Sequence, residues 1–329
     1  MISVAMTSYN GASYIVEQLD SILHQTLPVD EIILCDDGSS DQTLSLVREY
    51  IEKNNCTKIK WIQNDKNLGY KYNFKKAMMH CYGDFVFLSG QDDTWLENKV
   101  ETMIHTMKNR KEIKVLASSF EYINAQGQPL KKREGNTYNN DGLYHRQVLE
   151  NNMCIPVSFK ELLRENYFQG ASLCIRKEIV QEFCVHYKDY ITHDWFINLC
   201  AAKYNGMYYL NTVLFQYRIH EKNNLGIPML NNSLVNWFLQ ANQEEKRMLA
   251  FSTSNAYIEQ LKTNKDPYYL ENEKELSEIQ HFLQDCLEIL KKRKCIEWIK
   301  MSTNEMYTYF RSPKTKIMDI VFVLTHKGR

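Results

Sequence analysis

FVFLSGQDDTW, Phe85 to Trp95, is an apolar run that breaks into Ser, Gly and Gln and then presents two adjacent aspartates. A short run of this kind, bounded by turn residues, reads as a buried strand. Ser3 to Met6, Glu31 to Cys35, Lys58 to Ile62, Asp84 to Leu88 and Lys114 to Ala117 are the strand candidates, being short, apolar and mostly β-branched. Between them, Tyr14, Leu19, Ile22 and Leu23, then Leu44, Val47 and Ile51, recur at helical spacing. Strand and helix in alternation predict an α/β fold, a mostly parallel sheet flanked by helices. Ligands bind such sheets beyond the carboxyl ends of the strands. TSYNG, DDGSSDQT, NDKNLGYKYN and SGQDD stand at those ends. Four strand ends are therefore expected to converge on one polar crevice.

Asp92 and Asp93 repel each other unless a cation or proton neutralises them, which suits a divalent metal. Oxygen ligands favour Mg2+ or Mn2+, which also takes oxygens from a substrate phosphate. The competing reading is a helix N-cap, where Asp is favoured. Asp36 and Asp37 share the ambiguity: Gly38 makes a turn, Asp41 or Ser40 caps the next helix, and the two aspartates are expected to face the crevice. Asp194, in His193-Asp194-Trp195 before a helix, reads either as a capping carboxylate or as a general base. His220 reads as a metal ligand or a donor to phosphate oxygen, with Arg218 nearby to add charge-assisted hydrogen bonds.

Composition narrows the partner. The chain has 329 residues, 44% hydrophobic and 24% charged, enough for a sizeable core and more than one domain. Forty basic residues balance forty acidic ones, so no net field advertises nucleic acid. Nine cysteines without a CxxC pair fit reduced, buried thiols and a cytoplasmic location better than disulfides or zinc. No basic region followed by a long apolar one opens the chain, so no signal peptide is expected, and Ile320 to Leu324 is too short to span a bilayer.

Further along, KKREG and NTYNNDG mark loops. QGASLCIRKEIV reads as a strand entering a helix, THDWFINLCAAKYNG as a helix with a Gly stop, and MYYLNTVLFQYRIH as one or two strands. Beyond about Pro228 the pattern becomes helical, from Asn231 to about Phe251 and again at Leu276, Ile279, Leu283, Leu287 and Leu290. The expected division is a catalytic domain over 1–228 and a helical C-terminal region over 229–329. Lys291 to Lys294 leave three readings open for that region: docking on an anionic membrane surface at the inner face of the cell membrane, a homodimer interface, or a solvated helix end.

In order, TSYNG, SILHQTLPVDEIILCDDGSSDQT, NLG and LSGQDDTW resemble the family 2 inverting glycosyltransferases of GT-A fold, and THDW with YRIHEKNNLG resembles their bacterial rhamnosyltransferase branch. The likeness runs over roughly residues 1–226. It implies a nucleotide-sugar donor, with Thr7, Tyr9 and Asn10 at the first strand end beside the base and Asp37 on it. Asn67, Gly69 and Lys71 would line the nucleoside. Asp92 and Asp93 match the carboxylates that hold the metal on the donor diphosphate, Asp194 the catalytic base, and His220 a histidine near the diphosphate or metal. The branch usually reads DQDD, so Gly90 stands where a first Asp is expected. A ribose contact made by that Asp would then pass to water or a neighbouring side chain.

The implied reaction is transfer of a sugar, rhamnosyl from dTDP-rhamnose by the closest likeness, to a hydroxyl of a glycan or lipid-linked glycan acceptor. UDP-glucose, UDP-galactose and UDP-N-acetylglucosamine are the alternative donors. A sugar nucleotidyltransferase would be expected to carry a Lys or Arg in its Gly-rich loop, which TSYNGAS lacks. A non-catalytic nucleotide-sugar binding module is the third reading, favoured by Gly90 and opposed by Asp92, Asp93, Asp194 and His220.

Overall fold

The computed structural model describes residues 1–130, 149–221 and 244–325. The chain divides into two compact units, Met1–Leu162 with Asn166–Leu225, and Leu163–Glu165 with Gly226–Arg329. The loops expected at KKREG and NTYNNDG, the residue 228 boundary and the first part of the helix expected from Asn231 lie outside the described residues.

The first unit is built on one sheet. Strands β1 (Ile2–Ser8), β2 (Glu31–Asp36), β3 (Ile59–Gln63) and β4 (Phe85–Ser89) alternate with helices α1 (Ile15–Leu23), α2 (Thr43–Lys53) and α3 (Tyr70–Met79). They are followed by β5 (Thr94–Trp95), α4 (Lys99–Asn109), β6 (Val115–Ile123), β7 (Cys154–Pro156), α5 (Phe159–Arg164), β8 (Leu173–Arg176), α6 (Lys177–His186), α7 (His193–Lys203) and β9 (Met207–Arg218). The strand order is β3-β2-β1-β4-β8-β6-β9-β5, with β7 paired to β9. β3, β2, β1 and β4 are mutually parallel, while β8 runs antiparallel to both β4 and β6. The order reverses at β1, whose two neighbours are β2 and β4, and a crevice opens at such a switch point. Buried β1, β2 and β4 carry unbroken apolar stretches because helices cover both faces.

One reading left open by the sequence is resolved, and two others differ from it. MYYLNTVLFQYR is one strand, β9, that stays paired with β6 through shifts of register at Ser118 and Ser119. The helix α7 ends with Asn205, not Gly206, in the left-handed region at φ 53°. Gly206 is required for another reason: a Cβ there would come within 2.6 Å of the Lys114 side chain. Asp92 and Asp93 lead into β5, and α4 starts only after Asn98, so the capping reading of the pair does not hold.

The end of the sheet opposite the strand carboxyl ends has its own polar knot. Buried Glu31, at the start of β2, accepts from the Ser3 hydroxyl (2.7 Å), the Tyr82 N–H (2.7 Å) and Lys60 Nζ (3.2 Å), while Gly83 N–H donates to Ser3 Oγ. Burial alone would raise the Glu31 carboxyl, but these donors and the Lys60 charge outweigh it and hold it below its usual 4.5.

All nine cysteines are free, and Cys35, Cys174, Cys200 and Cys286 are buried while the other five are partly covered. Burial pushes the Cys35 and Cys184 thiols up to about 11, consistent with unreactive thiols.

The second unit is helical: α8 (Glu244–Thr263), α9 (Pro267–Glu271), α10 (Glu273–Lys291), α11 (Cys295–Ser302), α12 (Glu305–Phe310) and α13 (Pro313–Thr325). The stripe of α10 is buried at Leu276, Ile279, Leu283 and Leu290. Its interior also holds Asp319, which accepts from the Tyr307 hydroxyl at 2.8 Å and pairs with Arg311 at 2.9 Å. The basic tract is not a uniform cationic face. Arg293 turns inward to the Phe322 carbonyl (2.6 Å), and Lys292 and Lys294 both pair with Glu288. No helix among the described residues is long and apolar enough to cross a membrane.

Glu31→Gln is expected to cost about 1–3 kcal/mol in urea unfolding at pH 7, because it leaves buried donors poorly matched. A carboxylate whose folded pKa is depressed contributes fully above its usual value and loses that contribution as pH falls through the folded one. The gap to wild type should therefore narrow below pH 4.5. Equal stability of the two proteins at pH 7 would contradict this.

Candidate active site

The four strand ends meet as a hydrogen-bonded platform. Ser8 pairs with Asp36 and Met6 with Ser89, so β1 and β2 end level and β4 stops two residues short of them. Beyond them Gln91 clamps β1 to β4: its Oε1 accepts from Tyr9 N–H (2.7 Å) and its Nε2 donates to Tyr9 carbonyl (3.0 Å). Gly11 permits this, since a Cβ there would sit 2.2 Å from Gln91 Oε1. Thr7 is partly exposed on the platform, and the Tyr9 side chain is 49% exposed. Asn10 takes φ 50°, and its Oδ1 accepts from Ser40 N–H at 2.9 Å.

Asp36 and Asp37 are not presented to the crevice as the sequence suggests. Asp36 is buried and accepts from the Ser8 hydroxyl and from both the N–H and hydroxyl of Ser39. Asp37 is also buried and takes Asn64 Nδ2 (2.7 Å), Leu68 N–H (2.8 Å) and Gly69 N–H (2.9 Å). The turn at Gly38 (φ 80°) consumes the first carboxylate, and the segment leading to α3 consumes the second. Asp37 thus acts first as the anchor of the wall formed by residues 64–69. In that wall Asn67 is exposed and accepts from Gly69 N–H at 3.0 Å, and Lys71 donates to the Asp189 carbonyl at 2.7 Å.

The acidic pair divides. Asp92 Oδ2 lies 2.9 Å from His220 Nε2, both side chains partly accessible. Asp93 is buried and accepts from the Arg218 N–H at 3.3 Å. Burial, with Asp92 adding to it, pushes the Asp93 carboxyl well up, against the pull of Arg218 and Lys99. Lys99 is likewise buried, donates to the Ala171 carbonyl at 2.6 Å and sits over the rings of Trp95 and Phe215; burial lowers it to about 7 although Asp93 opposes the shift. Asp93, expected beside Asp92 as a ligand, is the more buried of the two and is bonded to the Arg218 backbone. Both carboxylates flank Gly90: a Cβ there would meet Asp92 Oδ1 at 3.1 Å and Asp93 Oδ2 at 3.9 Å.

An oxygen and a nitrogen at this separation are spaced like adjacent ligands of an octahedral ion with bonds of about 2.1 Å. In the structure the two are hydrogen-bonded to each other, and their donor types are ones that Mg2+ or Mn2+ accepts. Among the described residues no cluster of three or more His, Cys, Asp or Glu side chains gathers to hold an ion, so the remaining positions would fall to phosphate oxygens and water.

Arg218, expected to meet the diphosphate, is buried with its guanidinium directed at protein acceptors. Its Nε donates to Asp92 carbonyl (2.8 Å), and its Nη2 faces Glu17 (2.7 Å) and Thr94 Oγ1 (3.2 Å). Asp194 lies in the first turn of α7, behind the boundary residue Thr192, and its Oδ1 accepts from Trp195 N–H at 2.8 Å. A carboxylate is favoured there by the helix dipole. The ring of His193 stacks on Phe74 at 4.3 Å, and burial holds it below its usual value, hence neutral. Gln91, Tyr14 and Glu17 are not legible as site residues from sequence: Gln91 stands within a quoted motif, Tyr14 within the helical spacing ahead of α1, and Glu17 carries no local signal.

These elements match known proteins. Residues 3–168 match glycosyl transferase family 2, and the chain belongs to that family. It is 28% identical over 180 residues to the Escherichia coli UDP-Glc:alpha-D-GlcNAc-diphosphoundecaprenol beta-1,3-glucosyltransferase WfgD, covering 53% of this chain and 69% of that protein. The fold resembles that of S. aureus TarS (residues 1-349) in complex with UDP-GlcNAc, at TM-score 0.56 and 16% identity over 98% of this chain and 90% of that one. It also resembles the mannosyltransferase PcManGT of Pyrobaculum calidifontis in complex with GDP-Man and Mn2+, at TM-score 0.51 and 14% identity over 98% and 84%.

Asp37→Ala should free the wall of residues 64–69 while the sheet remains folded, costing about 1–3 kcal/mol for the orphaned donors. Limited proteolysis read by mass spectrometry is expected to show faster cleavage in that wall. An unchanged digestion pattern would contradict the anchoring role.

Proposed function

We propose that the protein transfers a hexosyl group, with inversion, from a nucleoside diphosphate sugar to a hydroxyl of a bacterial cell-surface glycan or its lipid-linked precursor. The observation that carries this reading is the Asp92–His220 contact at 2.9 Å beyond the carboxyl end of β4. Family membership supplies the reaction class, and the names of the relatives supply the donor class. UDP sugars appear in two of those names and a GDP sugar in the third. dTDP-rhamnose is the donor suggested by the THDW and YRIHEKNNLG motifs.

Asp92 and His220 would hold the divalent ion, which supplies charge to a diphosphate as it leaves. Gln91 and Asp37 keep the platform and wall in register for the nucleoside, with Thr7, Tyr9, Asn10, Asn67 and Lys71 facing it. Asp194 takes the proton of the acceptor hydroxyl as its oxygen bonds to the anomeric carbon. The bond from that carbon to the phosphate oxygen breaks in the same displacement, the electron pair departs with the nucleoside diphosphate, and no sugar is held covalently by the enzyme. The expected location is cytoplasmic, extending to the inner face of the cell membrane if the acceptor is lipid-linked.

Asp194→Asn is expected to abolish transfer while calorimetry shows donor binding nearly intact; turnover near the wild-type rate would place the base elsewhere. In a panel of UDP-glucose, UDP-galactose, UDP-N-acetylglucosamine and dTDP-rhamnose, activity should disappear in EDTA and return with manganese. Metal-independent turnover would contradict the assignment of Asp92 and His220.

A further inference from the structure

Arg218 is an expensive residue to bury, because a guanidinium stripped of water needs acceptors for its N–H groups. The structure supplies them from three separate segments. Nε donates to the Asp92 carbonyl at 2.8 Å. Nη1 faces the carbonyls of Ala125 (3.3 Å) and Asn124 (3.5 Å) in the turn after β6. Nη2 faces Thr94 Oγ1 at 3.2 Å and the Glu17 carboxylate of α1 at 2.7 Å. The turn is shaped for this approach: Gly127 takes φ 77°, and a Cβ on it would come 3.4 Å from Nη1. The backbone N–H of Arg218 meanwhile donates to Asp93 at 3.3 Å.

The same guanidinium reaches His220 through a ring. Its Cζ lies 4.8 Å from the centroid of Tyr14, and the Tyr14 ring lies 5.0 Å from that of His220. Arg218 therefore touches the backbone of Asp92 directly and supports the face of Tyr14 that His220 packs beside. These are the two side chains placed 2.9 Å apart at the strand ends.

We propose that Arg218 is a positioning residue for the metal site, fixing the Asp92–His220 spacing from behind by joining the turn after β4, the end of β9, α1 and the turn after β6. The inference rests on the reading of Asp92 and His220 as the metal pair. It assigns Arg218 no contact with the diphosphate. Loss of a supporting group of this kind typically weakens metal affinity by about 10–100-fold without removing a ligand.

The test is Mn2+ binding to the intact protein, read by electron paramagnetic resonance in the presence of UDP or dTDP, beside melting temperature and turnover across a manganese titration. Arg218→Lys keeps the charge but cannot reach the same acceptors. Its Mn2+ dissociation constant is expected to rise by about tenfold or more, with turnover recovering toward wild type at saturating manganese. An unchanged Mn2+ affinity, or turnover that stays low at saturating manganese, would overturn the inference and put Arg218 on the diphosphate instead. If Arg218→Lys does not fold, Glu17→Gln and Tyr14→Ala, on partly exposed residues, decide the matter: each should weaken Mn2+ binding, and unchanged affinity in both overturns it. Failure of the wild-type protein to bind Mn2+ at all would strike the metal reading itself, a separate result.

Discussion

Two carboxylates on consecutive residues repel each other unless a cation or proton neutralises them, and here they take different partners. Asp92 goes outward to His220, and Asp93 goes inward to the Arg218 N–H. Burial pushes the Asp93 carboxyl well up, and the nearby Lys99 and Arg218 offset part of that rise. Gly90 lies beside both carboxylates.

Around this division the platform follows simple rules. Parallel strands bring backbone N–H and carbonyl groups to a common edge, and the crevice at the switch point leaves them unpaired unless side chains step in. Gln91 pairs with the Tyr9 backbone, Asp36 with Ser39, and Asp37 with Leu68 and Gly69. The polar strand ends thus divide between groups that build the walls and groups left to meet a ligand. Aspartates flanking a glycine turn do the first task, and Asp92 with His220 is suited to the second.

The sheet was legible because its strands are short, apolar and regularly separated by helical spacing; the five strand candidates lie within β1, β2, β3, β4 and β6 to within a residue at each start. The dipeptide strand β5 was not, since Thr94–Trp95 has no periodicity of its own and exists by pairing with Phe215 and Gln216. The crevice was legible from the polar residues after each strand, but not which of them turn inward. Asp36, Asp37 and Asp93 look the same in sequence as Asp92; what separates them is the set of N–H donors that the chain brings to each. Arg218 shows the same limit most clearly, because its partners come from α1 and from the turns after β4 and β6. No local pattern reports contacts assembled from such distant segments.

The central claim is that the acidic pair is divided, with Asp92 and His220 holding the ion and Asp93 excluded from it. The most direct measurement is a crystal structure with manganese and a nucleoside diphosphate, the ion located by its anomalous scattering. The account predicts one manganese peak within bonding distance of Asp92 and His220, with Asp93 still accepting from the Arg218 N–H. A peak bonded to Asp93, or one away from both Asp92 and His220, would contradict it.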